Sequence, residues 1–151
     1  MLKKIFFTIL LLNLLNHCEY KPVYSNQNKV NYKIIVTSFN GDKEINNLIT
    51  STIKRNNNES SNKTLNISFD TKYTKNILAK NAAGTITEYQ ANVITKFNIQ
   101  KEDSFENFSI NEKFNFKKMT DEYEERNYER TIKKNLANSI SRKLILRLTV
   151  N

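Results

Sequence analysis

The chain of 151 residues has one cysteine, one histidine, one proline and two glycines. Each scarcity removes a class of function. A single cysteine, Cys18, cannot form an internal disulfide. The only histidine, His17, lies in a stretch that reads as a removable leader, so the mature chain carries no imidazole. Without histidine or a free thiol, a histidine-based triad, a cysteine nucleophile and most zinc sites are excluded. Two glycines are too few for a glycine-rich phosphate loop. Carboxylates remain, and Asp121, Glu122, Glu124 and Glu125 cluster. They crowd the expected start of a helix, where capping and the helix dipole account for them. The expectation is a chain that is not an enzyme, with no catalytic residue, cofactor or metal.

What the chain does have is an amphiphilic opening. Met1 to His17 runs MLKKIFFTILLLNLLNH, a basic head at Lys3 and Lys4 followed by an apolar run from Ile5 to Leu15. This is the layout of a secretory signal. The run is shorter than the roughly 20 apolar residues a spanning helix needs. Cys18 comes at once after it, and processing at a cysteine is the bacterial lipoprotein variant, in which the new N-terminal thiol is acylated. Leu15, three residues before Cys18, fits that variant; Asn16 and His17 depart from the small residues usual there. An ordinary signal that happens to end at a cysteine is the plainer alternative. The expected division is a signal at 1–17, an extended polar tether at 18–29 and a single α/β domain at 30–151.

The net charge is +9, and loss of Lys3 and Lys4 with the leader leaves +7. A basic exported domain points to an anionic envelope partner, phospholipid or lipopolysaccharide phosphate, and not to nucleic acid. Hydrophobic residues make up 38% and charged residues 26%, enough for a globular domain with a lean core.

Periodicity then orders the domain. Val30, Tyr32, Ile34 and Val36 alternate with polar residues, predicting a strand with one buried face. Asn40-Gly41-Asp42 reads as a turn, with Asp42 as a helix cap. Ile45, Leu48, Ile49 and Ile53 recur at helical spacing. A second strand buries Leu65, Ile67, Phe69 and Tyr73; Asn81 to Gly84 is a connection. A third buries Tyr89, Ala91, Val93, Phe97 and Ile99, and a fourth buries Phe108, Ile110, Phe114 and Phe116. The short polar break from Lys101 to Ser104 makes the last two a hairpin. A helix from about Asp121 to Leu148 carries Tyr128, Ile132, Leu136, Ile140, Leu144 and Leu148 on one stripe, with Leu136 and Ile140 expected against Phe97 and Phe114. At 1.5 Å per residue it is about 40 Å long, enough to cross a sheet. The fold class is therefore α+β: a two-layer sandwich in β-α-β-β-β-α order, a four-stranded mostly antiparallel sheet with two helices on one face.

Cys18-Glu19-Tyr20-Lys21-Pro22-Val23-Tyr24 resembles the start of mature LptE, a lipopolysaccharide-assembly lipoprotein family of Gram-negative outer membranes. That family opens with cysteine, glycine, an aromatic, any residue, proline, an aliphatic and tyrosine. Cys18, Tyr20, Pro22, Val23 and Tyr24 match, and Glu19 departs from the glycine. The element order also resembles the family across essentially the whole mature chain. The resemblance implies lipidation at Cys18, anchoring to the outer membrane, and a domain in the periplasm or a barrel lumen. It further implies partnership with an LptD-like β-barrel and with lipopolysaccharide. A structural or interaction lipoprotein of the envelope with a small α/β domain is the competing class. If both helices cover one sheet face, the other carries Lys33, Lys72, Lys96, Lys113 and Lys117, either as a solvated surface or as a contact for lipopolysaccharide or the barrel.

The leader generates the first prediction. The intact mass of protein extracted from membranes corresponds to a chain starting at acylated Cys18, and Cys18→Ser abolishes the acyl mass. An unacylated mature form, or cleavage elsewhere, refutes the assignment.

Overall fold

The computed structural model describes residues 30–102 and 104–150. The expected leader, the tether and Cys18 lie outside the described residues. The elements are β1 (Lys33–Gly41), α1 (Lys43–Asn56), β2 (Thr64–Lys80), β3 (Ile86–Lys101), β4 (Ser104–Lys117) and α2 (Glu122–Val150). The order is the expected β-α-β-β-β-α. The sheet runs β1-β2-β3-β4, with β1 parallel to β2 and the other pairs antiparallel. A parallel pair needs a crossover, and α1 supplies it.

One sheet face is buried. Because side chains alternate along a strand, register decides which residues share that face. Phe39, Phe69, Phe97 and Phe108 are successive partners across all four strands. Their ring centroids are 5.7, 5.6 and 5.4 Å apart, a spacing at which aromatic pairs attract beyond simple burial. Phe39 joins this row only because β1 slips register between Val36 and Ser38. The slip leaves Thr37 unpaired and switches the parity of the residues after it. The Thr37 hydroxyl donates to the Ile67 carbonyl at 3.2 Å. From α1, Ile45, Ile49 and Ile53 descend onto the sheet; from α2, Ile132, Leu136, Ala137, Ile140, Leu144 and Leu148 do so.

The sheet narrows along its length. Four strands lie abreast as far as Gly41 opposite Thr71. From Lys72 to Ala79 there are three, and at Lys80 opposite Ile86 only two. The cause is a length mismatch. β2 has 17 residues and α1 has 14, so β2 spans about 56 Å and α1 only about 21 Å. Where β1 ends, Gly41 takes φ +91°, and a Cβ there would lie 1.9 Å from the Thr71 carbonyl oxygen. The approach is that close because the next residue, Asp42, donates its N–H to that carbonyl at 3.0 Å.

Several expectations change in detail. Val30 and Tyr32 are buried but precede the ladder. Val30 N–H donates to the Asn56 carbonyl and the Tyr32 carbonyl accepts from Asn58 N–H, so they pack beside the end of α1. Asn40 and Gly41 remain in the strand and do not form the turn. Phe114 is 41% exposed, whereas Phe97 is 0% exposed. Phe114 lies on the buried face, opposite Ala91, but β4 is an outermost strand with an open flank. It does not belong to the core in which Leu136, Ile140 and Phe97 meet. Tyr128 is also partly exposed.

This difference is measurable. Phe97→Ala and Leu136→Ala each lower unfolding free energy, by about 3–5 and 2–5 kcal/mol respectively, because each leaves a cavity. Phe114→Ala costs markedly less, since much of its ring is already in water. Equal losses for Phe97 and Phe114 in denaturant titrations contradict the packing.

Candidate interaction surface

The face opposite the helices is bare, and alternation makes it polar. Reading across the strands, its rows are Ser38–Ser68–Asn98–Asn107, Asn40–Asp70–Lys96–Ser109, then Lys72–Ile94–Asn111, Thr74–Asn92–Lys113 and Asn76–Gln90–Asn115. Gln90 donates to the Asn115 carboxamide oxygen at 3.0 Å. Apolar side chains are sparse on this face: Ile94 near its middle, and Ile35 and Phe105 in one row at the end.

All five sequence-nominated lysines fall on this face. The structure brings three together. Lys96 lies one row from Lys72 on the neighbouring strand, and Lys113 lies one row beyond Lys72 on β4, with Ile94 among them. Lys117 is apart, opposite Glu88. Lys33 is at the far end, opposite Thr64. The face thus sets five lysines against two carboxylates, Asp70 and Glu88. Its donors are ammonium, amide and hydroxyl groups, which suit an anionic or polar partner. Among the described residues no cluster of three histidine, cysteine or carboxylate side chains stands ready for a metal.

A second constellation escaped the sequence reading. Past Gly41, α1 no longer covers the sheet, and the β2 and β3 side of the inner face turns from phenylalanine to Tyr73, Lys75 and Tyr89, with Phe116 beside Tyr89 on β4. α2 answers with carboxylates. Glu125, only 6% exposed, takes Lys75 Nζ at 2.8 Å, Lys118 Nζ at 3.4 Å and the Met119 N–H at 3.0 Å. Glu129 accepts from the Tyr73 hydroxyl at 2.7 Å and from Lys75 at 3.0 Å. Lys133 meets Asp42 Oδ2 at 2.9 Å and stands 4.4 Å from the Tyr73 ring centre. Asp42 Oδ1 accepts from the Ile45 N–H at 3.0 Å, capping α1. Of the acidic cluster at the start of α2, Asp121 does the capping, accepting from the Tyr123 and Glu124 N–H groups. Glu125, in contrast, is a buried ion-pair partner and no mere dipole charge. The signal was in the sequence: Lys75 has the parity of Phe69 and Tyr73, and Glu125 sits seven residues before Ile132 on the apolar stripe.

The seam polarises its members. Burial alone would raise Glu125, but Lys75, the Met119 N–H and Lys118 outweigh it and hold the carboxyl below its ordinary range. Glu129 is likewise lowered, burial being outweighed by the Tyr73 hydroxyl and Lys75. Asp42 is lowered, burial being outweighed by the Ile45 N–H and Lys133. Burial and Glu129 together push the Tyr73 phenol far upward. Lys75 is raised, its two glutamates outweighing burial.

No family model matches the sequence, and no curated protein matches it. Solved structures do resemble the fold. Rare lipoprotein B from Shewanella oneidensis aligns with a TM-score of 0.54 at 13% identity, covering 72% of this chain and 92% of its own. A minor lipoprotein from Acinetobacter baumannii gives 0.53 at 14%, covering 77% and 94%. Lipoprotein B from Nitrosomonas europaea gives 0.55 at 12%, covering 85% and 90%. The fold is one that bacterial lipoproteins use. At these identities the likeness is one of architecture, and it covers nearly the whole of each neighbour.

The seam predicts an acid limb. Glu125, Glu129 and Asp42 have folded-state pKa values below their unfolded ones, so their contribution is full above the ordinary carboxylate range, near about 4.3. It is lost as pH falls through that range toward the lower folded values. Unfolding free energy measured from pH 7 downward should therefore be flat and then decline below about pH 5. Glu125→Gln should cost roughly 1–3 kcal/mol at neutral pH and flatten the decline. An unchanged acid limb in this variant contradicts the seam.

Proposed function

We propose that this protein is a lipid-anchored lipoprotein of the bacterial outer membrane that assists lipopolysaccharide transport and assembly. It acts as a non-enzymatic partner of an LptD-like β-barrel and as a lipopolysaccharide-binding module. The observation that carries this reading is the bare sheet face. A sheet of four strands with helices on one side only ordinarily leaves its other face to solvent. Here that face is rich in asparagine, serine and threonine, carries five lysines against two carboxylates and holds few apolar side chains. A barrel lumen is polar, and lipopolysaccharide phosphates attract ammonium groups. Such a face can sit in the one and meet the other without desolvating an apolar patch. Two further features support the reading: the Cys18 to Tyr24 resemblance to LptE, and an architecture also found in proteins described as rare, minor and type B lipoproteins.

Single surface ion pairs contribute only about 0–1 kcal/mol, so one substitution is a weak test. The combined Lys72→Gln, Lys96→Gln and Lys113→Gln variant removes the clustered charge. It should retain its melting point, bind lipopolysaccharide more weakly than the wild type, and lose most of the salt dependence of that binding, since exposed contacts are screened. Co-purification of the wild type with a large barrel from detergent-solubilised outer membrane is the companion measurement. A folded triple variant with wild-type binding, salt dependence and barrel capture reduces this face to a solvated surface.

A further inference from the structure

The far end of the β2–β3 hairpin stands apart from the rest of the molecule. From Lys72 on, its β2 edge has no β1 beside it, and past Ala79 opposite Glu88 β4 is gone as well. Its side chains are apolar where free-standing strands are ordinarily polar. Ile77 is 52% exposed and Leu78 44% exposed, and Ala82 and Ala83 lie open at the turn. Two register irregularities bracket Ala79, one of them leaving Leu78 unpaired. Irregularities of this kind re-aim side chains, here presenting two neighbouring large aliphatics outward.

The turn is also built to lose water cheaply. Asn81 N–H donates to the Thr85 carbonyl and Gly84 N–H to the Asn81 carbonyl, both at 2.9 Å. The Asn81 side-chain oxygen accepts from Ala83 N–H at 3.0 Å and Thr85 N–H at 2.9 Å. Gly84 provides the positive φ, +78°, that closes the turn. Four backbone donors are thus satisfied internally, removing the main cost of placing a turn in a poorly hydrated layer.

The charge along the β2 edge is one-sided. Between Asp70 and Glu88 there is no carboxylate, while Lys72, Lys75 and Lys80 all fall there. Lys75 is taken by the seam, but Lys72 and Lys80 are exposed and have no ion-pair partner among the described residues. At the hairpin base Lys117 faces Glu88 and Lys118 is held by Glu125, so the free charge of this end is that of the β2 edge. Two exposed aliphatics flanked along the open β2 edge by Lys72 and Lys80 match the two layers of an anionic bilayer surface, apolar beneath and negative above.

We propose that this end of the hairpin docks along its open β2 edge into the headgroup layer of a phospholipid bilayer, with Ile77 and Leu78 inserted and the adjoining Lys80 against anionic lipid headgroups. Any acyl anchor at Cys18 is a separate attachment. The contact would fix the orientation of the domain on the membrane.

The sequence contains no tryptophan, so Leu78→Trp places a unique reporter at the tip. The full chain carrying it is reconstituted into vesicles of phosphatidylethanolamine with phosphatidylglycerol, and into vesicles of phosphatidylcholine alone. A reference chain carries Asn62→Trp, at the opposite end of β2. The expected result is blue-shifted emission from Trp at 78, quenched by brominated acyl chains, in the anionic vesicles. The shift shrinks in phosphatidylcholine or on adding Lys80→Glu, and Trp at 62 stays solvent-like throughout. Because depth is read relative to the reference site, an anchor at Cys18 does not produce this pattern. Water-like, unquenched emission at 78 in the anionic vesicles overturns the proposal. So does a blue shift already present without vesicles, which assigns the tip to self-association, or one appearing only when a barrel protein is added. Ile77→Trp, read the same way, guards against a local effect of substituting Leu78.

Discussion

At Gly41 the chain must leave the sheet, and the way it leaves governs the rest of the molecule. The left-handed backbone there lets Asp42 donate its N–H to the Thr71 carbonyl, a placement that no side chain at position 41 could share with β2. The Asp42 carboxylate then divides its work. One oxygen caps α1, and the other takes Lys133 of α2. A single residue thus joins the end of β1, the start of α1, the edge of β2 and the middle of α2. Buried or half-buried charges persist only where every partner is present, so this junction fixes where the four-stranded, apolar part of the sandwich stops.

The two halves of the buried face result from that stop. Beneath both helices the sheet packs phenylalanine against isoleucine and leucine, and Arg147 lies 4.1 Å from the Phe108 ring centre at the row's end. Beyond α1 only α2 covers the sheet, which keeps Val93, Ala91 and Phe116 buried but leaves β2 half covered. The chain there places tyrosines and Lys75 beneath Glu125 and Glu129, a combination that tolerates partial wetting because its hydrogen bonds are charge-assisted. The half-wet seam lets α2 hold a sheet that is wider than the helix layer above it. It also leaves the β2 edge from Lys72 onward unpaired. Lysines at 72 and 80 on that edge oppose strand addition by another chain.

Function, on this reading, belongs to surfaces and not to a cleft. The bare face offers a polar, cationic sheet, and the hairpin end offers aliphatic side chains beside Lys80. They are different chemistries at different places, and one domain can use both: the face for a partner that is polar and anionic, the tip for orientation at a membrane. Neither needs an activated side chain, in keeping with a mature chain expected to carry neither histidine nor a free thiol.

The sequence by itself determined the order of the elements, because period two and period 3.6 differ plainly even in a chain this rich in asparagine. It determined the cap at Asp42, which depends on local geometry, and the common face of the five lysines, which depends only on parity within each strand. Parity misplaces Phe114 in the core, because it tells which face a side chain takes but not whether a helix lies above it. Asn40 and Gly41 mislead because a glycine signals a turn equally well when it permits a close approach at a strand end. Tertiary structure alone decided what depends on register between strands and on element lengths compared in space. These include the phenylalanine row, which requires the slip at Thr37, and the parallel place of β1 beside β2. They also include the clustering of Lys72, Lys96 and Lys113, the seam joining Lys75 to Glu125 across 50 residues of chain, and the narrowing that leaves the hairpin end alone. Each is a sum over distant pairings, and no local window of sequence contains it.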